Sequence, residues 1–171
     1  RFLDLRANSA KVLASMDFDG FGIGGSFSKA DLGESLRVVN EVLPPERPRH
    51  LLGIGEPEDI VAGVMMGCDT FDCVAPTRLG RTGTIYVRTN ETDQFDYPKF
   101  KKINLLNQAF RQDYTKPDES CACYTCRNYT KAYLAHLFRS HEMFGAQLAS
   151  IHNLFTIINF TKTIRETILG H

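Results

Sequence analysis

Hydrophobic and polar positions along the first 78 residues predict an alternation of helices and short strands in the order α, β, α, β, α, β. Amphipathic spacing, proline and glycine predict helices over 2–16, 31–43 and 57–66. Leu5, Val12, Leu13 and Met16 are predicted to share one face of the first helix. Short apolar runs predict strands in F-G-I-G-G-S (21–26), in R-H-L-L-G-I-G (49–55) and around Phe71, Cys73 and Val74.

This order, with short connections, predicts a parallel sheet with right-handed crossovers. Two strands end in similar glycine turns, which suits the repeated units of a (β/α)₈ TIM barrel. Such a barrel needs about 250 residues. The chain offers three strands and begins inside a helix. The fold class is therefore predicted to be α/β, as the C-terminal part of a larger barrel.

The pattern changes after Gly80. G-T-I-Y-V-R (83–88) predicts one small strand, and the polar stretch 90–120 predicts an irregular insertion. Helices are predicted over 127–142 and 143–169, and the apolar stripe of the second is expected to be Phe144, Leu148, Ile151, Phe155 and Ile158. The predicted organisation is βα units of a barrel over 1–89, an insertion over 90–142 and a closing helix over 143–171.

Composition and charge add two points. The chain has an ordinary globular composition, 43% hydrophobic and 23% charged, and neither a signal-peptide pattern nor an apolar run near the ~20 residues of a membrane span. This predicts a cytoplasmic protein. The net charge of zero hides a segment, 99–141, with eight Lys/Arg and three Asp/Glu. That segment is either a solvated face or a surface that meets phosphates.

Three of the five cysteines lie in C-A-C-Y-T-C, at Cys121, Cys123 and Cys126. Thiolates this close in sequence can converge on one ion, and a tetrahedral zinc site needs a fourth ligand. His152, near the middle of the last helix, is the predicted ligand, with His136 and His141 as alternatives. Three Cys and one His leave no open position, which predicts a structural zinc ion. Free thiols beside a polar-cap histidine, or one disulfide with a cysteine left over, remain alternatives.

Asp72 is unexpected within T-F-D-C-V-A-P-T-R (70–78), because it interrupts an apolar run that predicts a strand. Strand interiors disfavour Asp, and an isolated buried carboxylate is costly. The residue therefore either serves function, or pairs with a buried Arg, or caps a turn.

Six motifs follow one another along the chain: G-F-G-I-G-G, H-L-L-G-I-G, F-D-C-V-A-P-T-R, R-T-G, C-A-C-Y-T-C and H-N-L. In this order they closely resemble the tRNA-guanine transglycosylases of bacterial type. The resemblance spans about residues 2–169 and covers the C-terminal half of that family. It implies a TIM barrel with a zinc-binding insertion subdomain. It implies exchange of guanine at the wobble position of tRNAs with GUN anticodons for a deazaguanine base, preQ1 or queuine, in queuosine biosynthesis.

The resemblance also implies roles for individual residues. Asp72 would be the nucleophile that attacks the ribose C1′ and forms a covalent tRNA–enzyme intermediate, as carboxylates do in glycoside hydrolysis. Gly24 and Gly25 would lie against the bound base, and Leu52 would pack on its flat face; an ordinary βα turn and a core leucine are the alternatives. Ser26 stands where many relatives have a larger apolar residue.

Arg78 and Arg81 correspond to residues that grip the tRNA anticodon loop. The zinc region of the family contributes to a homodimer interface, which Tyr129, Tyr133 and Phe138 would serve unless they pack in the core. Carboxylates of the family's first half, which recognise the base, have no counterpart here, so the 171 residues alone are expected to lack a complete base pocket.

Three alternative functions remain from the sequence. They are a non-catalytic partner subunit of such an enzyme, a zinc-stabilised tRNA-binding module, and an archaeal-type enzyme that acts elsewhere in the tRNA.

Overall fold

The computed structural model describes residues 2–25 and 29–170, without the side chains of 29–31. Ser26, where the sequence departs from the resembled family, lies outside the described residues. The chain divides into two compact units, Arg1–Cys73 and Val74–His171.

The first unit is a small α/β layer. Its helices and strands are α1 (Leu3–Ala14), β1 (Phe21–Ile23), α2 (Lys29–Asn40), β2 (Arg49–Leu51), α3 (Pro57–Met65) and β3 (Thr70–Phe71). The strands form a parallel sheet in the order β1-β2-β3. The predicted alternation and the parallel sheet are therefore confirmed, although each strand is shorter than predicted.

Local sequence explains the ends of α3. Pro57 occupies the first turn, where its missing N–H is not needed, and acidic residues follow it at the positive end of the helix. Gly67 has a φ of 90° just after the last turn, a backbone conformation that glycine adopts without strain. The core beneath the sheet contains the fully buried Leu36 and Leu51.

The structure does not bury the predicted apolar face of α1 within this unit. Ala10 is its buried residue, whereas the predicted members are exposed by 40–60%: Leu5, Val12, Leu13 and Met16. Ala10 lies in the cluster formed by α2 and the sheet, so α1 packs on this cluster through Ala10 rather than through its larger apolar side chains.

The second unit combines a β-hairpin with helices. Its elements are α4 (Ala75–Arg81), β4 (Thr84–Thr92), β5 (Pro98–Asn104), a 3₁₀ turn (Gln108–Phe110), α5 (Tyr124–Asn128), α6 (Lys131–Arg139) and α7 (Met143–Leu169). β4 and β5 pair antiparallel. The prediction of one small strand and an irregular 90–120 is therefore wrong, because β5 lies within that stretch and β4 extends to Thr92. The short helix α4 was not predicted, and α7 has the predicted length.

α7 packs through a face that mixes small, polar and large apolar residues, and this face largely differs from the predicted stripe. Its buried residues are Gly145, Leu148, Ala149, His152, Asn153, Thr156, Phe160 and Ile164. Of the predicted stripe only Leu148 is buried. A Cβ on Gly80 of α4 would lie 2.7 Å from the backbone nitrogen of Ser150, so the two helices approach to backbone contact. Among the described residues, no helix is both long and apolar enough to cross a membrane.

Asn153 ties α7 to two other elements. Its Oδ1 accepts from the backbone N–H of Tyr86 at 3.0 Å, and its Nδ2 donates to the carbonyls of Pro76 at 2.9 Å and Thr84 at 3.0 Å. The side chain is fully buried. All its hydrogen-bonding atoms have partners, as buried amides require, so Asn153 fixes α4 and β4 on the central part of α7.

Candidate metal centre and active site

Asp72 lies directly after β3, and its side chain is 57% exposed. The premise of a carboxylate buried within a strand is therefore wrong, because β3 ends at Phe71 and the chain turns at once. The carboxyl ends of parallel strands meet at one edge of a sheet, where α/β proteins place ligands. An exposed carboxylate at this edge is available to a bound molecule.

Two hydrogen-bond donors hold the Asp72 carboxylate. The backbone N–H of Gly53 lies 2.9 Å from Oδ1, and His50 Nε2 lies 3.0 Å from the same oxygen. His50 Nδ1 lies 2.8 Å from Thr70 Oγ1. The Gly53 hydrogen bond, followed by that of His50, lowers the pKa of Asp72 below its ordinary value. Asp72 is therefore an anion near neutral pH.

The predicted base-contacting residues lie at the same edge. Gly24 and Gly25 follow β1, Leu52 follows β2, and the Leu52 N–H donates to the carbonyl of Ile23 at 2.9 Å. A Cβ on Gly24 would lie 2.9 Å from Leu52 Cδ1. Leu52 is 50% exposed, so it is not a core leucine, which was the alternative interpretation.

Gly25 adopts a φ of 117°, which only glycine takes readily. Arg6 of α1 donates to the carbonyl of Gly24 at 3.2 Å and so helps to fix this turn. The structure therefore brings Gly24, Leu52 and Asp72 to one edge, each at the end of its own strand.

Sequence reasoning missed His50, Gly53 and Thr70. A single histidine in R-H-L-L-G-I-G gives no signal by itself, and neither does a threonine before an apolar residue. The register pairs His50 with Thr70, and this pairing makes them neighbours of Asp72. A search for polar side chains on adjacent strands would have found the pair only with the register known.

Four side chains of the second unit form a compact metal-binding group: Cys121, Cys123, Cys126 and His152. Their ligand atoms lie within 4.8 Å of one another. His152 Nδ1 lies 3.5 Å from Cys123 Sγ and 3.3 Å from Cys126 Sγ. Zn–S bonds of about 2.3 Å in a tetrahedron require ligand separations of about 3.8 Å, so the group fits zinc. The predicted ligand set is confirmed.

The second nitrogen of His152 is also fixed. His152 Nε2 lies 2.6 Å from the carbonyl oxygen of Tyr86, which can only accept, so Nε2 carries the hydrogen and Nδ1 is left for a metal. His152 is fully buried. Burial acts to lower its pKa, but hydrogen bonds with the Cys121 and Cys123 sulfurs and with Tyr86 outweigh it and raise the pKa to about 10. A proton and a metal ion therefore compete for Nδ1.

Cys123 is arranged to supply a thiolate, whereas hydrogen bonds with Cys121 and Cys123, together with burial, raise the pKa of Cys126. Cys123 caps α5, and its Sγ accepts the backbone N–H of Cys126 at 3.3 Å. Hydrogen bonds from Cys121 and then Cys126 lower the pKa of Cys123. Among the described residues, which include all five cysteines, no disulfide is formed, so the structure does not support the disulfide alternative. The alternative ligands His136 and His141 are exposed and lie outside the group.

Arg78 and Arg81 both lie on α4 and are exposed. Among the residues that the structure describes, neither guanidinium has a hydrogen-bond or ion-pair partner. Unpaired guanidinium groups are the usual donors to phosphates and base edges.

Comparison with known proteins supplies the family. The profile described as "Queuine tRNA-ribosyltransferase" matches residues 1–171. Bacterial relatives of that name are 40% identical in Pediococcus pentosaceus, 42% in Lactococcus lactis subsp. cremoris and 45% in Roseiflexus sp.. Each match covers 98% of this chain and 41–42% of the relative. The chain thus spans about two fifths of the length of these relatives, and over that span it belongs to the queuine tRNA-ribosyltransferase family.

Proposed function

We propose that this chain carries the nucleophile, the metal centre and part of the tRNA surface of a tRNA-guanine transglycosylase, a pentosyltransferase. The main support for this proposal is the exposed carboxylate of Asp72, which lies at the C-terminal edge of the parallel sheet and accepts two hydrogen bonds. Barrel enzymes place catalysis at this edge. The three parallel strands are, in this proposal, the C-terminal part of a (β/α)₈ barrel.

Asp72 attacks C1′ of the wobble nucleotide in a GUN anticodon. A carboxylate lone pair forms the bond to C1′ while the C1′–N9 bond breaks, and its electron pair leaves with guanine, which takes up one proton. The incoming base, preQ1 or queuine, then loses a proton from its attacking nitrogen and displaces the carboxylate. Exchange is therefore neutral overall, and it proceeds through a covalent ester-like adduct.

The glycine turn and Leu52 bind the base in this proposal. Gly24 and Gly25 bear no side chains, so a flat base can lie directly against their backbone. Leu52 is half exposed beside Gly24 and offers an apolar surface to a ring face. The wobble base must be flipped out of its stack to reach Asp72, which the unpaired anticodon loop permits.

Arg78 and Arg81 bind the anticodon loop, and the basic segment 99–141 supports the tRNA backbone. Both arginines are exposed and unpaired among the described residues. Neutralised phosphates release counterions, so tRNA affinity should fall steeply with salt.

Zinc is structural in this proposal. Three thiolates and one imidazole close a tetrahedral shell, so no position is left for water or substrate. The ion would hold the 121–126 loop on α7. The enzyme is further proposed to work in the cytoplasm as a homodimer, with the zinc region at the interface.

The test measures entry of labelled guanine into tRNAs with a GUN anticodon, using the longest natural chain that contains these residues. Wild type should exchange guanine and form a denaturant-stable adduct with tRNA, and Asp72→Asn should do neither. Asp19→Asn, which alters an exposed surface carboxylate beside Arg47, is the matched control and should leave exchange unchanged. Binding of tRNA without exchange or adduct by wild type would overturn the proposal in favour of a zinc-stabilised tRNA-binding subunit.

A further inference from the structure

We propose that His50 is a positioning residue that holds Asp72 by one oxygen, Oδ1, and so assigns the attack on C1′ to the other oxygen, Oδ2. This inference deepens the proposed function and rests on it. It concerns the atom of the carboxylate that reacts, and the histidine that selects it.

Both donors to Asp72 converge on the same oxygen. Gly53 N and His50 Nε2 lie 2.9 and 3.0 Å from Oδ1. Among the described residues, no group outside Asp72 itself donates to Oδ2. The lone pairs of Oδ1 are engaged, whereas those of Oδ2 are available, so Oδ2 is the better placed nucleophile.

The tautomer of His50 follows from its two partners. A carboxylate can only accept, so Nε2 of His50 must carry the hydrogen that faces Asp72. In the neutral ring Nδ1 then accepts from the Thr70 hydroxyl, 2.8 Å away. Thr70, His50 and Asp72 thus form one directed chain of hydrogen bonds across β2 and β3.

Gly53 supplies the second, rigid contact. Its φ is 74°, and no atom lies within 4 Å of the place where a Cβ would be, so the glycine is needed for backbone conformation rather than for space. This turn directs the N–H of Gly53 towards Oδ1. Two donors from different parts of the turn and strand restrict rotation of the carboxylate about its Cβ–Cγ bond.

His50 is placed to act on Asp72 rather than to hold the core. Its side chain is 34% exposed, and both of its ring nitrogens are used by Asp72 and Thr70. Removing the ring therefore frees the carboxylate while the buried cluster around Leu51 stays intact. The cost should appear in the bond-forming step, because misplacement of a reacting group by about 1 Å lowers rates about 100-fold.

The test measures single-turnover formation of the tRNA adduct by the longest natural chain that contains these residues. His50→Ala should slow adduct formation about 10- to 100-fold with KM for tRNA changed less than about 2-fold. His50→Gln, whose amide N–H can still reach Oδ1, should recover most of the rate. Thr70→Val should slow the step, Thr70→Ser should not, and the matched control Thr163→Val on α7 should match wild type.

Each outcome has a meaning. If the wild type forms no adduct with tRNA, the proposed function is wrong. If the wild type forms the adduct, and His50→Ala or Thr70→Val forms it at the same rate, only the proposed role of His50 is wrong. A second measurement does not depend on activity: ¹⁵N NMR should find the hydrogen of neutral His50 on Nε2, and a hydrogen on Nδ1 would overturn the assignment.

Discussion

Replacement of Asn153 by alanine should destabilise the second unit strongly. The substitution removes three hydrogen bonds of 2.9–3.0 Å, to Tyr86, Pro76 and Thr84, from a fully buried site. Each such bond contributes about 1 kcal/mol net, which gives a loss of about 3 kcal/mol. The loss increases if the orphaned Tyr86 N–H finds no water, because Tyr86 is itself only 1% exposed.

The free energy of unfolding is measured for the zinc-loaded chain by urea titration, with helical circular dichroism as the signal. Asn153→Asp separates hydrogen bonding from volume, since it keeps the size but cannot donate to the two carbonyls; it should cost at least about 2 kcal/mol. Asn159→Ala changes a half-buried asparagine on the same helix whose side chain donates to the carbonyl of Phe155 only, and it should stay within about 0.5 kcal/mol of wild type. An Asn153→Ala loss below about 1 kcal/mol would refute the reasoning.

Three further predictions concern the metal, the nucleophile and the helix crossing. Cys126→Ser should reduce bound zinc from one ion per chain to none in atomic emission, whereas Cys73→Ser, outside the metal group, should keep it. NMR titration should give Asp72 a pKa below the ordinary value of about 3.9 for an aspartate. The ionised carboxylate then contributes to the free energy of unfolding above about pH 3.9, and this contribution is lost as the pH falls through the lowered pKa. A measured pKa above about 3.9 would contradict this prediction. Gly80→Val should lower the free energy of unfolding by about 1–3 kcal/mol, because its side chain meets the Ser150 backbone at 2.7 Å; an unchanged urea midpoint would show that the helices can separate.

The metal group was predictable from sequence because its chemistry is local. Three cysteines within six residues can converge without any knowledge of the fold, and only the fourth ligand needed a choice among histidines. His152 was chosen for its place near the middle of the last helix. The structure adds what spacing could not supply, the contact between its Nε2 and the Tyr86 carbonyl.

The surroundings of Asp72 were less predictable because they depend on strand register. The sequence predicted Asp72 to be buried within a strand, whereas it is exposed directly after the strand, since a strand of two residues cannot be bounded from hydrophobicity alone. His50 becomes a neighbour only through pairing with Thr70, twenty residues further on. No local pattern marks such a contact.

The buried face of α7 shows a different limit. Hydrophobicity favoured Phe155 and Ile158, yet the helix packs through Gly145, Ala149 and Asn153. Small residues allow backbones to approach closely, and a polar side chain is buried where partners satisfy it. A rule that ranks residues by hydrophobicity alone therefore selects the wrong face.

The spacing of the metal ligands has a consequence for the order of assembly during folding. Cys121 and Cys126 are five residues apart, whereas Cys126 and His152 are separated by 26. Closing the longer loop costs about 1.5 kcal/mol more in chain entropy, so the three thiolates can capture zinc while α7 is still free. Docking of α7 would then bring His152 to the ion and complete its coordination shell. Four-coordinate zinc would therefore form only when α7 has reached its native position.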